Sequence, residues 1–206
     1  MLFRSYQSLF AFGRDFSSFA EAGRPAERLN GILAGAEIFA TLGVQPMLGR
    51  PFTAEETAPG RNQVILLSHG FWQDRYGGRA DVIGRTVRLD GETVTIIGVM
   101  PARFEYRFLW GQSAFWRPLA FTPEQRSERG YRIFSVIGRL RDGVTKAQAT
   151  AELGPLAAAQ ERDNPKSYTG LRYGALNLHE AVMDDERDRK STRLNSVTLE
   201  SRMPSS

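Results

Sequence analysis

The clearest pattern of apolar and polar positions along the chain is an alternation over residues 86–96. Residues 86–89 and 92–96 alternate on either side of the dipeptide Asp90-Gly91. Alternation with a period of two is typical of a strand with one buried face. Asp-Gly suits a type I′ turn, because both of its central residues need a positive φ. The pattern therefore predicts a β-hairpin.

Two apolar runs each predict a strand that is followed by a short helix. The predicted strands are residues 28–34 and 64–67, and the predicted helices are residues 36–42 and 70–76. Gly43 and Gly77 stand directly after the helices, where a glycine commonly ends a helix in the left-handed conformation.

Three segments lack a regular period. Residues 3–19 carry six aromatic side chains without a settled spacing, so we predict mixed strand and turn. Residues 45–62 have the proline and glycine content of a loop. Residues 101–118 combine aromatic residues with glycine and proline, and we expect an irregular segment that ends one lobe.

The C-terminal half is predicted to contain a strand at residues 131–140 and then a helix. Thr145 and Gln148 have the spacing of a capping box, so the helix begins there and runs towards Gln160. Gly154-Pro155 falls inside this helix. Because proline removes a backbone donor and clashes with the preceding turn, we predict a kink or an early stop.

Charge is distributed unevenly along the 206 residues. The net charge is +4, but residues 187–206 hold five basic and two acidic groups, which leaves 22 basic and 21 acidic groups in residues 1–186. The body is therefore close to neutral, and its aromatic residues lack the interleaved lysines of a nucleic-acid surface. We expect no nucleic-acid partner. The tail lacks an apolar period, resembles translated adapter sequence and is interpreted as disordered or artefactual.

No apolar run approaches the roughly 20 residues that span a bilayer, and the N-terminal residues lack the pattern of a signal peptide. The chain has no cysteine, which excludes disulfides, thiolate metal sites and a cysteine nucleophile.

Ser68, His69 and Asp74 are the residues that suggest a serine hydrolase. In the pattern Leu66-x-Ser68-x-Gly70, however, a leucine replaces the first glycine of a nucleophile elbow. Adjacent residues at a strand end also point to opposite faces, which disfavours a hydrogen bond between Ser68 and His69. We expect Ser68 to have a capping or a packing role instead.

Few residues in the sequence suggest a metal site or a site for nucleotide hydrolysis. The run from His179 to Met183 opens like a zinc-protease helix, but methionine stands where the second histidine is required. No Gly-x-x-x-x-Gly-Lys motif is present, so ATP hydrolysis of the P-loop kind must belong to another domain or chain. We predict no catalytic, cofactor-binding or metal-binding residues, and no cofactor.

Several segments, in order, resemble the MacB-like periplasmic core domain of ABC transporter permeases, including the duplicated permeases of soil bacteria. The resemblance is carried by residues 39–52 (FATLGVQPMLGRPF), 64–78 (VILLSHGFWQDRYGG), 82–91 (VIGRTVRLDG), 97–101 (IGVMP) and 136–144 (VIGRLRDGV). The match covers roughly residues 1–186.

This resemblance implies an α+β fold with two lobes. A porter-like lobe would be built from both ends of residues 1–186, and a β-rich lobe would be inserted near residues 61–128. The family's domain lies between two transmembrane helices, so the resemblance implies that this chain is truncated and that helices flank it in the complete gene.

The resemblance also implies a function. The domain would be a non-enzymatic, extracytoplasmic part of an inner-membrane permease, transmitting motion driven by a cytoplasmic ATP-binding subunit during export or efflux. A periplasmic adaptor protein is a further implied partner in some members. Two alternatives stay open: a serine hydrolase that uses Ser68, and a stand-alone periplasmic binding module, which would need a concave pocket with convergent polar groups.

Overall fold

The computed structural model describes residues 3–104, 110–128 and 133–178. Their fold is α+β, with a large mixed sheet and few helices. The strands are β1 (Tyr6–Ala20), β2 (Glu27–Ala34), β3 (Leu48–Gly49), β4 (Val64–Leu67), β5 (Thr86–Leu89), β6 (Glu92–Val99), β7 (Phe115–Pro118) and β8 (Ser135–Leu140). The α-helices are α1 (Ile38–Leu42), α2 (His69–Tyr76), α3 (Pro123–Ser127), α4 (Lys146–Asp163) and α5 (Pro165–Tyr168).

The chain divides into two compact units. One unit comprises residues 10–127, and the other comprises residues 1–9 with residues 128–206. The first unit contains nearly all of the region predicted as an inserted lobe, together with residues 10–60. The lobe boundary near residue 61 stays a prediction, and residues 179–206, which include His179 and the tail, lie outside the described residues.

Six strands of the unit of residues 10–127 pair in a ring that returns to its first strand. Around the ring, the order is β1, β2, β7, β4, β6, β5 and again β1. The β2–β7 and β4–β6 pairs are parallel and the other pairs are antiparallel. The ring is therefore a small closed barrel of mixed topology, in which the two end strands of an open sheet pair with each other.

The barrel encloses a hydrophobic core with side chains from five strands of the ring, and Leu29 of the sixth strand, β2, is partly buried and packs against it. The core members on strands lie mostly at alternate positions, and Trp72 of α2 and Val82 join them. The strand side chains in this core are Phe19, Ile65, Leu67, Val87, Leu89, Val94, Ile96, Val99 and Phe115.

Gly31 lies directly against the ring of the core residue Phe115. The two residues are paired in the parallel β2–β7 ladder. A Cβ atom on Gly31 would lie 2.2 Å from the Phe115 ring, which no unstrained carbon pair allows. The Phe115 ring therefore occupies the space that a larger residue would take on β2, and glycine permits the close approach of the two strands.

Charged side chains share the face of the strands that carries Phe19 and Phe115. Asp15, Ser17 and Phe19 lie two residues apart along β1, and therefore on the same face of that strand. Arg117 and Phe115 have the same relation on β7. Arg117 lies 3.9 Å from Asp15 and 3.3 Å from Glu92, and Ser17 Oγ donates to Asp15 at 2.5 Å. Burial raises the pKa of Asp15, because its desolvation outweighs the hydrogen bond from Ser17 and the charge of Arg117.

The unit of residues 1–9 and 128–206 contains the start of β1 next to β8, and helix α4. Close packing of β8 depends on Gly138, because a Cβ there would lie 2.5 Å from Leu9 and 2.7 Å from Tyr6. Glu152 of α4 accepts hydrogen bonds from the backbone N–H groups of Arg4 and Ser5, which attaches the helix to the N-terminal segment.

Most local predictions are confirmed. The hairpin turn has positive φ at Asp90 (50°) and Gly91 (84°), as a type I′ turn requires. Gly43 and Gly77 end their helices in the left-handed conformation. Both hydrogen bonds of the capping box between Thr145 and Gln148 are formed. The predicted strand at residues 131–140 appears as β8, with residues 131 and 132 outside the described part.

Two predictions are wrong, and a third is wrong in part. Residues 3–19 do not form mixed strand and turn but lie mostly in the single strand β1. Buried residues fall on both faces of β1 at different points along its length, so its sequence shows no single period. The segment 101–118 ends in a regular buried strand, β7. Helix α4 does not stop at Pro155, because Ala151, whose carbonyl loses its partner, is solvent-exposed and Gly154 has no Cβ to clash with the proline ring. The alternative of a kink there stays a prediction.

We expect Gly31→Ala to lower the free energy of unfolding by about 1–3 kcal/mol, the usual cost of forcing extra volume into a packed core. Urea unfolding of the purified chain measures this. The matched control is Gly174→Ala, where nothing lies within 4 Å of the new Cβ and stability should be unchanged or slightly raised. Equal stability of Gly31→Ala and wild type would show that ring closure does not need this contact.

We expect the stability of Asp15→Asn relative to wild type to increase as the pH rises. A raised folded pKa means that the stability linked to Asp15 is fully present below the ordinary value of 3.8 and is lost as the pH rises through the folded pKa. Asparagine does not titrate, so it escapes this loss. Urea unfolding of both proteins across pH 3 to 7 tests the slope, and a difference that falls with pH would contradict the assignment.

Candidate functional site

A cavity lies where β2, β4 and β7 meet the first turn of α2, within the unit of residues 10–127. Its volume is about 330 Å³. Three parts of the chain line it: residues 28–30 of β2, the β4–α2 junction, and residues 110–116 leading into β7. Its polar, charged and aromatic lining residues include Arg28, Asn30, Ser68, Phe71, Asp74, Trp110, Ser113 and Trp116.

Backbone hydrogen bonds hold the walls of this cavity together. The N–H of Ala114 donates to the carbonyl of Asn30 at 2.7 Å, and the N–H of Ser68 donates to the carbonyl of Ala114 at 2.8 Å. Ala114 therefore ties β2 to the end of β4. Asn30 lies within β2, Ser68 directly follows β4 and Ala114 directly precedes β7, so the geometry of the cavity follows from closure of the ring.

Ser68 is the N-cap of α2, as the sequence predicts. Its Oγ accepts a hydrogen bond from the N–H of Phe71 at 3.1 Å, and the residue is 3% exposed. The hydroxyl satisfies one of the helix's unpaired first-turn donors. A nucleophilic serine would instead present its oxygen to a base and to the substrate.

His69 and Asp74 do not complete a catalytic arrangement with Ser68. Within the described part of the chain, no hydrogen bond joins Ser68 to His69. The His69 ring packs edge-on against Trp72, with 5.6 Å between ring centroids, and Asp74 is exposed on α2. The geometry therefore gives no support to the hydrolase alternative.

Aromatic side chains form the apolar part of the cavity and the packing behind it. Trp110 and Trp116 meet edge to face at 6.2 Å between centroids. Phe104 lies 5.4 Å from Trp110 and 5.2 Å from Trp116, and Phe12 lies 5.8 Å from Trp110. Aromatic pairs in this range stabilise one another beyond the area they bury, so the indoles are held in fixed positions.

A second cavity of about 330 Å³ lies at the C-terminal end of α2 and is lined mainly by charged side chains. Its charges are largely paired. Glu21 accepts from Arg75 Nε at 2.8 Å and from the Tyr76 hydroxyl at 2.6 Å, and Asp81 accepts from Arg79 and Arg85. Arg75 also contacts the rings of Phe19 and Phe71. This network attaches α2 to the β1–β2 connection, and we assign it a structural role.

Among the described residues, no group of His, Cys, Asp or Glu side chains has the arrangement of a metal site. In the same part of the chain, no helix is long and apolar enough to cross a bilayer.

Comparison with known proteins identifies the family. Residues 7–156 match the family of the MacB-like periplasmic core domain. The chain belongs to this family. The resemblance first seen in its sequence segments is thereby confirmed, and the family and its solved relatives indicate a periplasmic domain of an ABC-type transporter permease.

Solved structures show the same fold at low sequence identity. The chain is similar to the periplasmic region of MacB from Actinobacillus actinomycetemcomitans, with 17% identity, a TM-score of 0.57, and coverage of 80% of this chain and 71% of that chain. The chain is also similar to a domain of a putative permease protein from Porphyromonas gingivalis, with 17% identity and a TM-score of 0.59. That match covers 80% of this chain and 70% of that chain.

A third similar structure is the extracellular domain of the noncanonic ABC-type transporter YknZ from Gram-positive bacteria. Its identity is 14%, its TM-score is 0.56, and the match covers 80% of each chain. At these identities the likeness concerns the fold. A comparison with curated protein sequences finds no similar protein.

We expect Ser68→Ala to destabilise the chain by about 1 kcal/mol, because the first turn of α2 loses its cap, whereas Ser68→Gly should cost only a few tenths. Urea unfolding measures both. Neither wild type nor the two variants should react with a fluorophosphonate probe. Labelling of wild type that disappears in Ser68→Ala would contradict the capping assignment and restore the hydrolase alternative.

Proposed function

We propose that this chain is a non-catalytic, extracytoplasmic domain that transmits ATPase-driven motion through an ABC permease during export or efflux. The observation that carries the proposal is the family match over residues 7–156. The placement of Ser68 as a buried helix cap supports the non-catalytic part, because it removes the one nucleophile that the sequence suggested.

The barrel has the properties that a motion-transmitting body needs. Its core is formed by side chains from five strands of the ring, with Leu29 of β2 packed against them, and packed interiors deform little under load. A displacement applied at one end would therefore reach the other end instead of being absorbed by local rearrangement.

The energy source must lie elsewhere, since the sequence contains no P-loop motif. We infer that a cytoplasmic ATP-binding subunit supplies it and that membrane helices of the permease connect the two. The family also supports anchoring at the outer face of the inner membrane, and a periplasmic adaptor protein as a further partner. A nucleotide-driven change can reach this domain only through such a physical connection.

A stand-alone binding module is the second candidate function. The specific observation in its favour is the cavity beside α2, which combines aromatic walls with charged and polar side chains. Ligand binding at this cavity is compatible with a role in a permease.

Distance measurements between paired spin labels test the transmission of motion. The chain lacks cysteine, so Thr93→Cys on β6 and Ala158→Cys on α4, both exposed, provide unique labelling sites in the two compact units. In the complete permease with its ATP-binding subunit, we expect the label distance to change by more than about 2 Å between ATP-bound and ADP-bound states.

The matched control pair is Thr93→Cys with Met47→Cys, because both residues belong to the unit of residues 10–127. Its distance should stay constant in every nucleotide state. Identical distributions for the Thr93–Ala158 pair in a complex that demonstrably hydrolyses ATP would rule out the proposed transmission.

A further inference from the structure

The second cavity, at the C-terminal end of α2, is lined by more positive than negative side chains. Its charged lining residues are Arg24, Arg75, Arg79, Arg85, Glu21 and Asp81. Arg75 is already neutralised, because Glu21 and Glu27 both lie within 2.8 Å of its guanidinium group. The excess positive charge therefore belongs to the other three arginines, which have only the carboxylate of Asp81 among them.

Arg79 and Arg85 converge on that carboxylate. Arg79 Nη2 lies 2.9 Å from Asp81 Oδ2, and Arg85 Nη2 lies 2.7 Å from the same oxygen. Two guanidinium groups are thus held side by side and share one negative charge. Their side chains are 72% and 47% exposed, and each guanidinium has further N–H groups that it can donate. A ligand in the cavity can therefore reach both.

The backbone that carries these two arginines is fixed by the barrel. The indole N–H of Trp72 donates to the carbonyl of Arg79 at 2.9 Å. The N–H of Arg85 donates to the carbonyl of Val82 at 3.2 Å, and the N–H of Ile96 donates to the carbonyl of Arg85 at 2.9 Å. Trp72, Val82 and Ile96 are core residues. Because both arginines project from fixed positions, less conformational entropy is lost when a ligand binds them.

Arg24 adds a third positive charge from the β1–β2 connection. It is exposed, and its side chain has no ion pair among the described residues. Its backbone N–H donates to the carbonyl of Glu21 at 3.3 Å, which holds the segment in a turn at the edge of the cavity. Together with the pair on Asp81, Arg24 gives this side of the cavity an excess of two positive charges.

Glu21 is the lining carboxylate that would repel an anion, and its charge is offset by its partners. It accepts from Arg75 Nε at 2.8 Å and from the Tyr76 hydroxyl at 2.6 Å. Burial and this hydrogen bond raise the pKa of Tyr76, whereas the charges of Arg75 and Arg85 lower it. Arg85 therefore acts on the same corner of the cavity as Glu21 and further weakens its repulsion.

We propose that this cavity binds a phosphate monoester group, with Arg24, Arg79 and Arg85 donating hydrogen bonds to its oxygens. The planar N–H fork of a guanidinium group matches the oxygens of phosphate. A phosphate monoester carries a charge near −2 at neutral pH, which matches the excess of two positive charges, whereas a single carboxylate would leave one unmatched. The volume of about 330 Å³ leaves room for a small organic group beyond the phosphate. This inference does not depend on the transport role proposed above.

Glycerol 3-phosphate is the first probe, with glycerol and acetate as controls. Glycerol lacks the charge, and acetate carries one negative charge instead of two. Calorimetry on the purified chain, in phosphate-free buffer at constant ionic strength, measures binding. We expect glycerol 3-phosphate to bind with a Kd on the order of 1 mM and more tightly than either control. Added sodium chloride should weaken this binding, because salt screens exposed charges.

The arginine variants separate binding from folding. Arg24→Gln, Arg79→Gln and Arg85→Gln should each weaken glycerol 3-phosphate binding about three- to fivefold, the scale of an exposed charge pair. Their thermal midpoints should stay within about 2 °C of wild type, since exposed ion pairs contribute little to stability. The matched controls are Arg61→Gln and Arg103→Gln, which remove exposed arginines outside the cavity and should bind like wild type.

Vesicles identify the source of the phosphate group. Phosphatidic acid presents a phosphate monoester, and phosphatidylglycerol presents a diester, each mixed into phosphatidylcholine for co-sedimentation with the chain. Binding to phosphatidic acid that is weakened by Arg79→Gln and by free glycerol 3-phosphate assigns the site to a lipid headgroup. Binding of glycerol 3-phosphate without vesicle binding assigns it to soluble phosphorylated compounds. The proposal is overturned if glycerol 3-phosphate does not bind at about 10 mM, or if the cavity variants bind it as well as the two controls do.

Discussion

The contact between Gly31 and the Phe115 ring is the constraint on which the barrel depends. Strand β2 pairs with both β1 and β7, and its parallel ladder with β7 places Gly31 directly beside Phe115. With no Cβ on β2 at this point, the ring of Phe115 can fill the interior and the strands can still reach pairing distance. Without that pairing the sheet would have two open edges, and β2 and β7 would expose unpaired backbone groups to solvent.

Closure of the ring also explains where the cavity lies. The ends of β2, β4 and β7 come together at one place, and Ala114 joins two of them through its own N–H and carbonyl. Helix α2 follows β4 directly, and its position is fixed by the Ser68 cap and by the ion pairs and ring contacts of Arg75. The cavity beside α2 is therefore built from elements that are each held by the barrel.

Local features were predictable because their causes are local. The Asp90-Gly91 turn, the glycine caps of α1 and α2 and the Thr145–Gln148 capping box all depend on residues within a few positions of each other. Strand β7 was missed because all four of its residues are buried, so its sequence has no alternation. The cavity could not be predicted for a related reason: Arg28, Asp74 and Ser113 are distant in sequence and meet only when the ring closes.

The location of the cavity within one compact unit limits how an occupant could influence transport. All of its lining residues belong to residues 10–127, so a relative displacement of the two units would not by itself compress or open it. A ligand can bias a conformational equilibrium only if it binds the two states with different affinity. Coupling between occupancy and transport would therefore require α2 or the segment of residues 110–114 to change position during the cycle. Without such a change, the ligand would stabilise the barrel equally in both states and leave the transport equilibrium unaltered.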